Sequence, residues 1–322
     1  MTQIPSRKSQ LTQGSVPFGA LHLSSPFTPP SQPMSRPERQ AAGRALRQTV
    51  PRSLHREWQA AEGRRDPIAL IEQSNQGRRP ELIPIRYWRM MQSPFTFLRG
   101  SAIVMTADLA TTPHTGIPVQ ACGDCHLLNF GGFATPERNL VFDINDFDET
   151  LVAPWEWDLK RLATSIYVAG QDLQLPDLAC AAATRACARA YRLALAQYSQ
   201  MRTLDVWYAQ LDADWLIKHA PDTDTRKHWV DMAKKAFQQN MSRTAQKLTE
   251  NVNGQRQFVD NYPLLFHPYN RSDYFSEIAA LFEHYRDSLQ WDRQFLLDRY
   301  QLVDVALKVV GVGSVGTHCG VA

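Results

Sequence analysis

The stretch CGDCHLLNFGGFATPERNLVFDINDFDE, residues 122–149, is predicted to form the central β region of the fold, and it contains most of the candidate functional residues. It places an Asp, a His and an Asn within the six positions from Asp124 to Asn129, and it ends in the acidic run NDFDE. The short apolar runs IPVQAC and NLVFDI, one before each polar cluster, are typical of strands, and GGFATPER is typical of a hairpin connection. The stretch therefore predicts two polar loops that follow two short strands.

Helical patterns lie on both sides of this stretch. SPFTFLRGSAIVMTADLA, residues 93–110, follows a Ser-Pro start signal and predicts one helix. WDLKRLATSIYVAG, residues 157–170, has apolar residues at helical spacing. Beyond it the pattern predicts helices over about 177–201, 204–219, 225–250, 273–288 and 291–300, and a strand over 302–310. The predicted fold class is α+β and mostly helical, with a short β-hairpin region.

Length and composition indicate a folded, globular protein. The chain has 322 residues, of which 43% are hydrophobic, enough for one large core or two smaller ones. No window approaches the roughly 18 apolar residues of a membrane span, and no secretory signal pattern is visible. Five cysteines without a small-scaffold spacing favour reduced thiols. We expect a cytoplasmic protein without a membrane partner.

The positive charge is concentrated in an N-terminal tail. Residues 1–50 contain six basic residues and one acidic residue, while the whole chain has a net charge of +3. Because the remaining chain is slightly acidic, the charge pattern argues against a nucleic-acid partner. The Pro, Ser and Arg content of residues 1–50 predicts a disordered tail.

The order of polar residues indicates phosphoryl transfer. This reaction needs a carboxylate that orients the acceptor hydroxyl, then an amide and a second carboxylate that hold Mg²⁺ against the phosphates. Asp124, Asn129 and Asp146 occur in this order, with a predicted strand between the last two. The order matches a kinase catalytic loop followed by its metal-binding loop. The alternative interpretation is a turn and a solvated acidic bend.

Other metal chemistries fit the spacing less well. A calcium loop that begins at Asp143 would need Gly where Asp148 stands, and zinc would need a second Cys/His pair. The pair Asp124 and His126 is similar to the opening of a metal-dependent phosphoesterase, although no later Asn-His-Asp cluster follows. A hydrolase of this type and a non-catalytic binding protein remain the alternative functions.

Several further residues are candidates for supporting positions. His126 can act as a catalytic group, orient Asp124 or be a core histidine. Asp158 is expected to cap a helix or to accept hydrogen bonds from the catalytic loop's backbone. Arg99 and Arg161 can pair with the carboxylates or contact phosphate, or they can lie on solvated helix faces.

GVGSVG, residues 311–316, follows the last predicted strand and satisfies the pattern G-x-G-x-x-G. A dinucleotide site would need a helix after it, and a kinase-type glycine loop would need a second strand. Its candidate nucleotide-binding residues are Gly311, Gly313, Ser314 and Gly316.

The motifs SPFTFLRG, CGDCHLLNFG, LVFDINDFDETLVAPWEWDLKRLATS and DVALKVVGVGSVGT closely resemble a bacterial family known as domain of unknown function 2252. The resemblance covers about residues 51–318. The central motifs of that family look like those of aminoglycoside phosphotransferases and other kinase-like proteins.

By this resemblance Asp124 matches the catalytic Asp, Asn129 the metal-binding Asn and Asp146 the metal-binding Asp. Asp143 and Asp148 compete for the last position. The resemblance implies a protein-kinase-like C-lobe over residues 51–300, with Mg²⁺ and ATP as cofactors and an unknown small-molecule or protein acceptor.

The chain departs from the kinase pattern in two ways. Its glycine-rich segment follows the catalytic loop, whereas kinases place it before. Family members are also expected to continue past residue 322 into a segment with a nucleotide-anchoring Lys, so residues 301–322 are expected to be the start of a truncated nucleotide-binding segment.

Overall fold

The structure is a computed structural model that describes residues 34–238 and 247–322. The chain divides into two compact units, Met1–Arg44 and Ala45–Ala322, and residues 34–44 are the described part of the first. The described helices are α1 Arg36–Thr49, α2 Pro67–Gln73, α3 Ile83–Met90, α4 Pro94–Gly100, α5 Ala102–Leu109, α6 Glu156–Asp172, α7 Asp177–Tyr198, α8 Thr203–Trp207, α9 Ala213–Lys218, α10 Thr223–Gln238, α11 Arg271–Ser288 and α12 Trp291–Leu297.

The strands are short and antiparallel. They are β1 Pro118–Ala121, β2 Phe130–Ala134, β3 Leu140–Ile144, β4 Leu151–Pro154, β5 Thr249–Val252, β6 Gln255–Phe258, β7 Leu265–Phe266, β8 Ala306–Lys308 and β9 Gly320–Val321. β1 pairs with β4, β2 with β3, β5 with β6, and β8 lies between β7 and β9. The predicted α+β class is therefore confirmed for the described residues, with small sheets among helices.

Two apolar clusters hold the C-terminal segment against the rest of the molecule. The first packs Val305, Leu307 and Val315 against Leu82 and Phe266. The second joins Val312 to Ile71 and Met90. Because Val312 and Val315 insert into different clusters, the segment GVGSVG is fixed at two points; Gly311 is exposed and Gly313 partly exposed, whereas Gly316 is buried.

The disorder predicted for residues 1–50 does not describe Arg36–Thr49, which form a helix; residues 1–33 lie outside the described residues. Glu38 and Ser35 exchange backbone-to-side-chain hydrogen bonds at the start of α1, and Ala, Arg, Gln and Leu fill its body. These are a capping pair and good helix formers. Their local preference explains a helix that buries none of its residues.

Three predicted helices have different bounds in the structure. The helix predicted over 93–110 is divided at Ser101 into α4 and α5. The helix predicted over 204–219 is divided into α8 and α9. The helix predicted over 225–250 is observed as α10 up to Gln238, and Thr249 begins strand β5 instead of continuing a helix. The reason for β5 is the pair Asn253-Gly254, whose positive φ angles of 52° and 85° form the two-residue turn to β6.

Candidate functional site

Two loops meet at the centre of the β region. The first, residues 122–129, leads from β1 to β2, and the second, residues 145–150, leads from β3 to β4. The pairing of β1 with β4 brings the beginning of the first loop to the end of the second. Gly123 has a φ of +86°, and a Cβ there would lie 1.9 Å from the carbonyl oxygen of Glu149. The loops thus touch backbone to backbone at a position that only glycine fits.

One face of α6 holds the first loop. The carboxylate of Asp158 accepts hydrogen bonds from the backbone N–H groups of Cys122 at 2.8 Å and Gly123 at 3.2 Å. The hydroxyl of Ser165 accepts one from the N–H of Leu127 at 2.9 Å. Asp158 and Ser165 are seven residues apart, so they lie on the same side of the helix. Asp158 therefore has the loop-bracing geometry that the sequence predicts for it.

Asp124 lies at the base of the cleft, with its side chain 13% exposed. Its Oδ1 accepts a hydrogen bond from Nε of the buried Arg161 at 2.6 Å, and Arg161 also donates to the carbonyl of Leu98. Burial raises the pKa of Asp124, and Arg161 opposes that rise. Oδ2 faces the glycine segment, since a Cβ on Gly313 would come within 3.9 Å of it. None of the described residues donates a hydrogen bond to this oxygen, so it can accept one from a bound group.

His126 lines the same cleft and is almost fully buried. Its ring is buried against Phe95, and its Nε2 lies 3.6 Å from Oδ2 of Asp124, beyond hydrogen-bond distance. Burial and the positive charges of Arg99 and Arg161 lower its pKa to about 4. The imidazole is therefore neutral at pH 7, which favours a supporting position for His126 over proton transfer.

Two of the predicted metal ligands lie together with Asp124. Asn129 is buried, and its Nδ2 donates to the backbone carbonyl of Asp124 at 2.7 Å, which leaves Oδ1 for a ligand. Asp146 lines the cleft and is close enough to Asp124 to raise the pKa of that carboxyl. Asp148 also lines the cleft, whereas Asp143 lies on the exposed hairpin β2–β3 and does not. Asp146 and Asp148 therefore lie in the cleft with Asp124 and Asn129, and Asp143 lies outside it.

The glycine segment forms the opposite wall. Arg78 donates to the carbonyl of Val315 at 2.6 Å, and Arg89 donates to the carbonyl of Gly311 at 2.7 Å. Gly313 packs so closely that a Cβ would lie 3.0 Å from the carbonyl oxygen of Arg99. Residues 78–89 therefore hold the segment in place from the side opposite the loops.

The resulting cleft opens to solvent. It is lined by the residues Arg78, Arg99, Asp124, His126, Asn129, Asp146, Asp148, Glu149, Gly311, Val312, Gly313, Ser314 and Thr317. The predicted residues Gly316, Asp158 and Arg161 are not among them, since the last two lie behind the first loop. Sequence reasoning missed Arg78, for which no local signal exists, and Glu149, which closes the acidic run NDFDE.

Glu149 lies among like charges and can still reach solvent through the cleft. Burial, Asp124 and Asp146 raise the pKa of its carboxyl, and Arg78 opposes the rise. A carboxyl whose pKa is higher in the folded state destabilises the fold as pH rises through that pKa. We expect Glu149→Gln to raise the melting temperature at pH 8 and to have little effect near pH 4. Thermal denaturation at pH 8 and at pH 4 measures the change in melting temperature. An equal change at the two pH values would contradict the prediction.

The donor set fits a hard divalent cation. Asn129 and Asp146 supply a carboxamide and a carboxylate oxygen, and Mg²⁺ is usually held by one or two protein carboxylates together with water and substrate phosphates. Among residues 34–238 and 247–322, no group of three or more His, Cys, Asp or Glu side chains is arranged to hold a metal ion.

None of the helices in the described ranges combines the length and apolar character needed to cross a membrane. No curated protein and no solved structure shows detectable similarity to the chain. A family model described as an uncharacterized protein conserved in bacteria (DUF2252) matches residues 78–322, a range that contains both loops, α6 and the glycine segment. The chain therefore belongs to the family of domain of unknown function 2252.

Proposed function

We propose that the cleft is a kinase-like phosphotransferase site, which transfers a phosphoryl group from Mg-ATP to a small-molecule or protein acceptor. One observation carries the proposal. Gly311, Gly313 and Ser314 lie in the same cleft as Asp124, Asn129 and Asp146, although more than 160 residues separate the two sets in sequence. A glycine-rich wall opposite a base, an amide and a carboxylate is the combination that phosphoryl transfer uses.

Each residue has a distinct part in this proposal. Asn129 and Asp146 would hold Mg²⁺, which supplies positive charge against the phosphates. The backbone of Gly311–Ser314 can approach the phosphates closely because no side chain projects from Gly311 or Gly313. Arg99, which lines the cleft, adds positive charge at the same place.

Asp124 orients the nucleophile. The acceptor hydroxyl donates its hydrogen bond to Oδ2 of Asp124, and its oxygen bonds to the γ-phosphorus while the bond from that phosphorus to the β-bridging oxygen breaks. ADP leaves, and the hydroxyl proton passes to Asp124 and then to solvent. Arg161 fixes the carboxylate through Oδ1, so only one oxygen faces the reaction.

The chain order differs from that of a kinase, but the spatial arrangement supports the same chemistry. The glycine segment follows the catalytic loop in sequence and is attached to α3 and the residues before it. A phosphate site depends on where the backbone N–H groups lie, and any order of elements that brings them to the metal ligands is sufficient.

Calorimetric titration of the purified 322-residue protein with Mg-ATP tests the proposal. We expect measurable binding by the unaltered protein and binding at least about tenfold weaker, or about 1.4 kcal/mol, for Asp146→Ala. Asp143→Ala is the matched control. Asp143 is an exposed carboxylate on β3, three residues before Asp146, and it does not line the cleft. Equal binding by all three proteins would overturn the assignment. Hydrolysis of a generic phosphoester without nucleotide binding would favour the phosphoesterase alternative.

A further inference from the structure

A second cavity of about 310 Å³ adjoins the cleft, at the lower end of the usual range for small-molecule sites. The two share Arg78, Arg99, Glu149 and Gly313 along their boundary. The rest of the second cavity is lined mostly by small and apolar residues of α4, α5 and β4, which are Gly100, Ala102, Ile103, Thr106 and Leu151. Ser74, Arg86 and Gly123 complete the lining.

The second cavity has an excess of positive charge. Three of its lining residues, Arg78, Arg86 and Arg99, are arginines, and Glu149 is its one carboxylate. In the described parts of the chain none of the three guanidinium groups has a carboxylate oxygen within 4.0 Å, whereas Arg161 is paired with Asp124. Residues 1–33 and 239–246 contain neither Asp nor Glu. These arginines therefore have no ion-pair partner within 4.0 Å among the described residues, although Glu149 attracts Arg78 and Arg86, and Asp124 attracts Arg99, over longer distances.

The charge is costly because it is buried. Arg86 is 1% exposed, and its guanidinium donates to the neutral side chain of Asn75 and the carbonyl of Gly100. Among the described residues, no acceptor pairs with its Nε or with the buried Nε of Arg99. Burial and the nearby Arg78 lower the pKa of Arg86 to about 10, so that its guanidinium is still charged at pH 7. Buried charges in proteins are normally paired, and guanidinium groups bind phosphate and carboxylate strongly. A bound oxyanion would supply the missing counter-charge.

The second cavity differs from the cleft in its lack of metal ligands. Asn129, Asp146 and Asp148 line the cleft alone. A nucleotide triphosphate that carries Mg²⁺ therefore fits the cleft, and an anion without a metal fits the arginine-lined cavity. Gly123, which precedes Asp124, lies at the wall between them.

We propose that the second cavity is an anion subsite that holds a phosphate or carboxylate group of the acceptor, and that it places the acceptor's hydroxyl at Asp124. This inference rests on the proposed function for the identity of the acceptor, but the anion site itself does not. The apolar wall of Ala102, Ile103 and Leu151 suits a short carbon skeleton between the anion and the hydroxyl.

Thermal denaturation with sodium phosphate or sodium malonate, against sodium chloride at equal ionic strength, tests the subsite. Nucleotide and Mg²⁺ are left out. We expect a saturable rise in melting temperature with at least one of the two anions. A larger response to phosphate indicates a phosphorylated acceptor, and a larger response to malonate indicates a carboxylate acceptor.

Variants of Arg99 test whether the response depends on the arginines at the boundary of the two cavities. The side chain of Arg99 makes no hydrogen bond to the described residues, so Arg99→Gln removes its charge with little loss of structure, and we expect an apparent affinity at least about tenfold lower. Arg99→Lys should keep part of the response, because it keeps the charge. The matched control Arg185→Gln removes an exposed charge on α7 and should leave the response unchanged. An equal response in Arg99→Gln and the unaltered protein, or no response to either anion, would overturn the proposal.

Asp146→Ala separates this inference from the proposed function. The variant should lose affinity for Mg-ATP and keep its response to the anion, since Asp146 does not line the second cavity. An Arg99-dependent anion response without any Mg-ATP binding would leave the subsite standing and remove the phosphotransferase. Binding of Mg-ATP without an anion response would support the phosphotransferase and remove the anion subsite.

Discussion

Gly123→Ala is expected to lower the free energy of unfolding by about 3 to 5 kcal/mol, because it combines a left-handed backbone conformation with a direct clash. The φ angle of Gly123 is +86°, and the new Cβ would lie 1.9 Å from the carbonyl oxygen of Glu149. Neither loop can move easily to relieve the clash. The carboxylate of Asp158 accepts a hydrogen bond from the N–H of Gly123, and the pairing of β4 with β1 fixes the chain just beyond Glu149. Urea denaturation followed by tryptophan fluorescence measures the loss.

Gly132→Ala is the matched control for this prediction. Gly132 lies on β2 of the adjacent hairpin, and a Cβ there would meet Leu140 Cδ1 at 3.6 Å and the carbonyl oxygen of Val141 at 3.9 Å, both ordinary contact distances. We expect a change within about 1 kcal/mol. Similar losses for the two alanine variants would mean that the contact between the loops does not matter for stability.

Arg161→Met should cost about 3 to 5 kcal/mol at pH 8, because it leaves the largely buried carboxylate of Asp124 without its ion-pair partner. Methionine fills similar space but removes both the charge and the hydrogen bond to Leu98. The pKa of Asp124 is already raised by burial, and without Arg161 it rises further. A carboxyl with a raised pKa destabilises the fold as pH rises through that value. The loss should therefore be smaller at pH 4.5 than at pH 8.

The double variant Arg161→Met, Asp124→Asn checks this cause. If the unpaired carboxylate produces the loss, the double variant should be more stable at pH 8 than Arg161→Met alone, and the effects of the two substitutions should not add. Denaturant unfolding of all four proteins of the cycle at both pH values supplies the comparison. A pH-independent loss that simply adds to that of Asp124→Asn would show that Arg161 acts through packing.

The sequence predicted the parts of the site that depend on local order. Asp124, Asn129 and Asp146 follow strands in a fixed succession, and Asp158 lies at the start of a strongly periodic helix, so short-range patterns were sufficient to single them out. The same patterns placed β1, β3, α6 and α7 near their observed positions. These elements are defined by residues close together in the chain.

The parts that the sequence did not predict depend on long-range packing. Arg78 reaches the cleft because Val315 inserts beside Leu82, a contact across more than 200 residues. β4 forms because its backbone pairs with β1, about 30 residues away, and its sequence LVAP carries no strong strand signal. The charge imbalance around Arg86 likewise emerges only when α3 and α4 pack together.

The attachment of the glycine segment to Arg78 and Arg89 also determines when the cleft can exist during synthesis. The hydrogen bonds from Asp158, Arg161 and Ser165 of α6 to the first loop can form once residue 165 has been made, but the opposite wall is translated about 150 residues later. During that interval the carboxylates and arginines face solvent on an unfinished surface. A ligand that needs both walls of the cleft could therefore bind only after translation has passed residue 316.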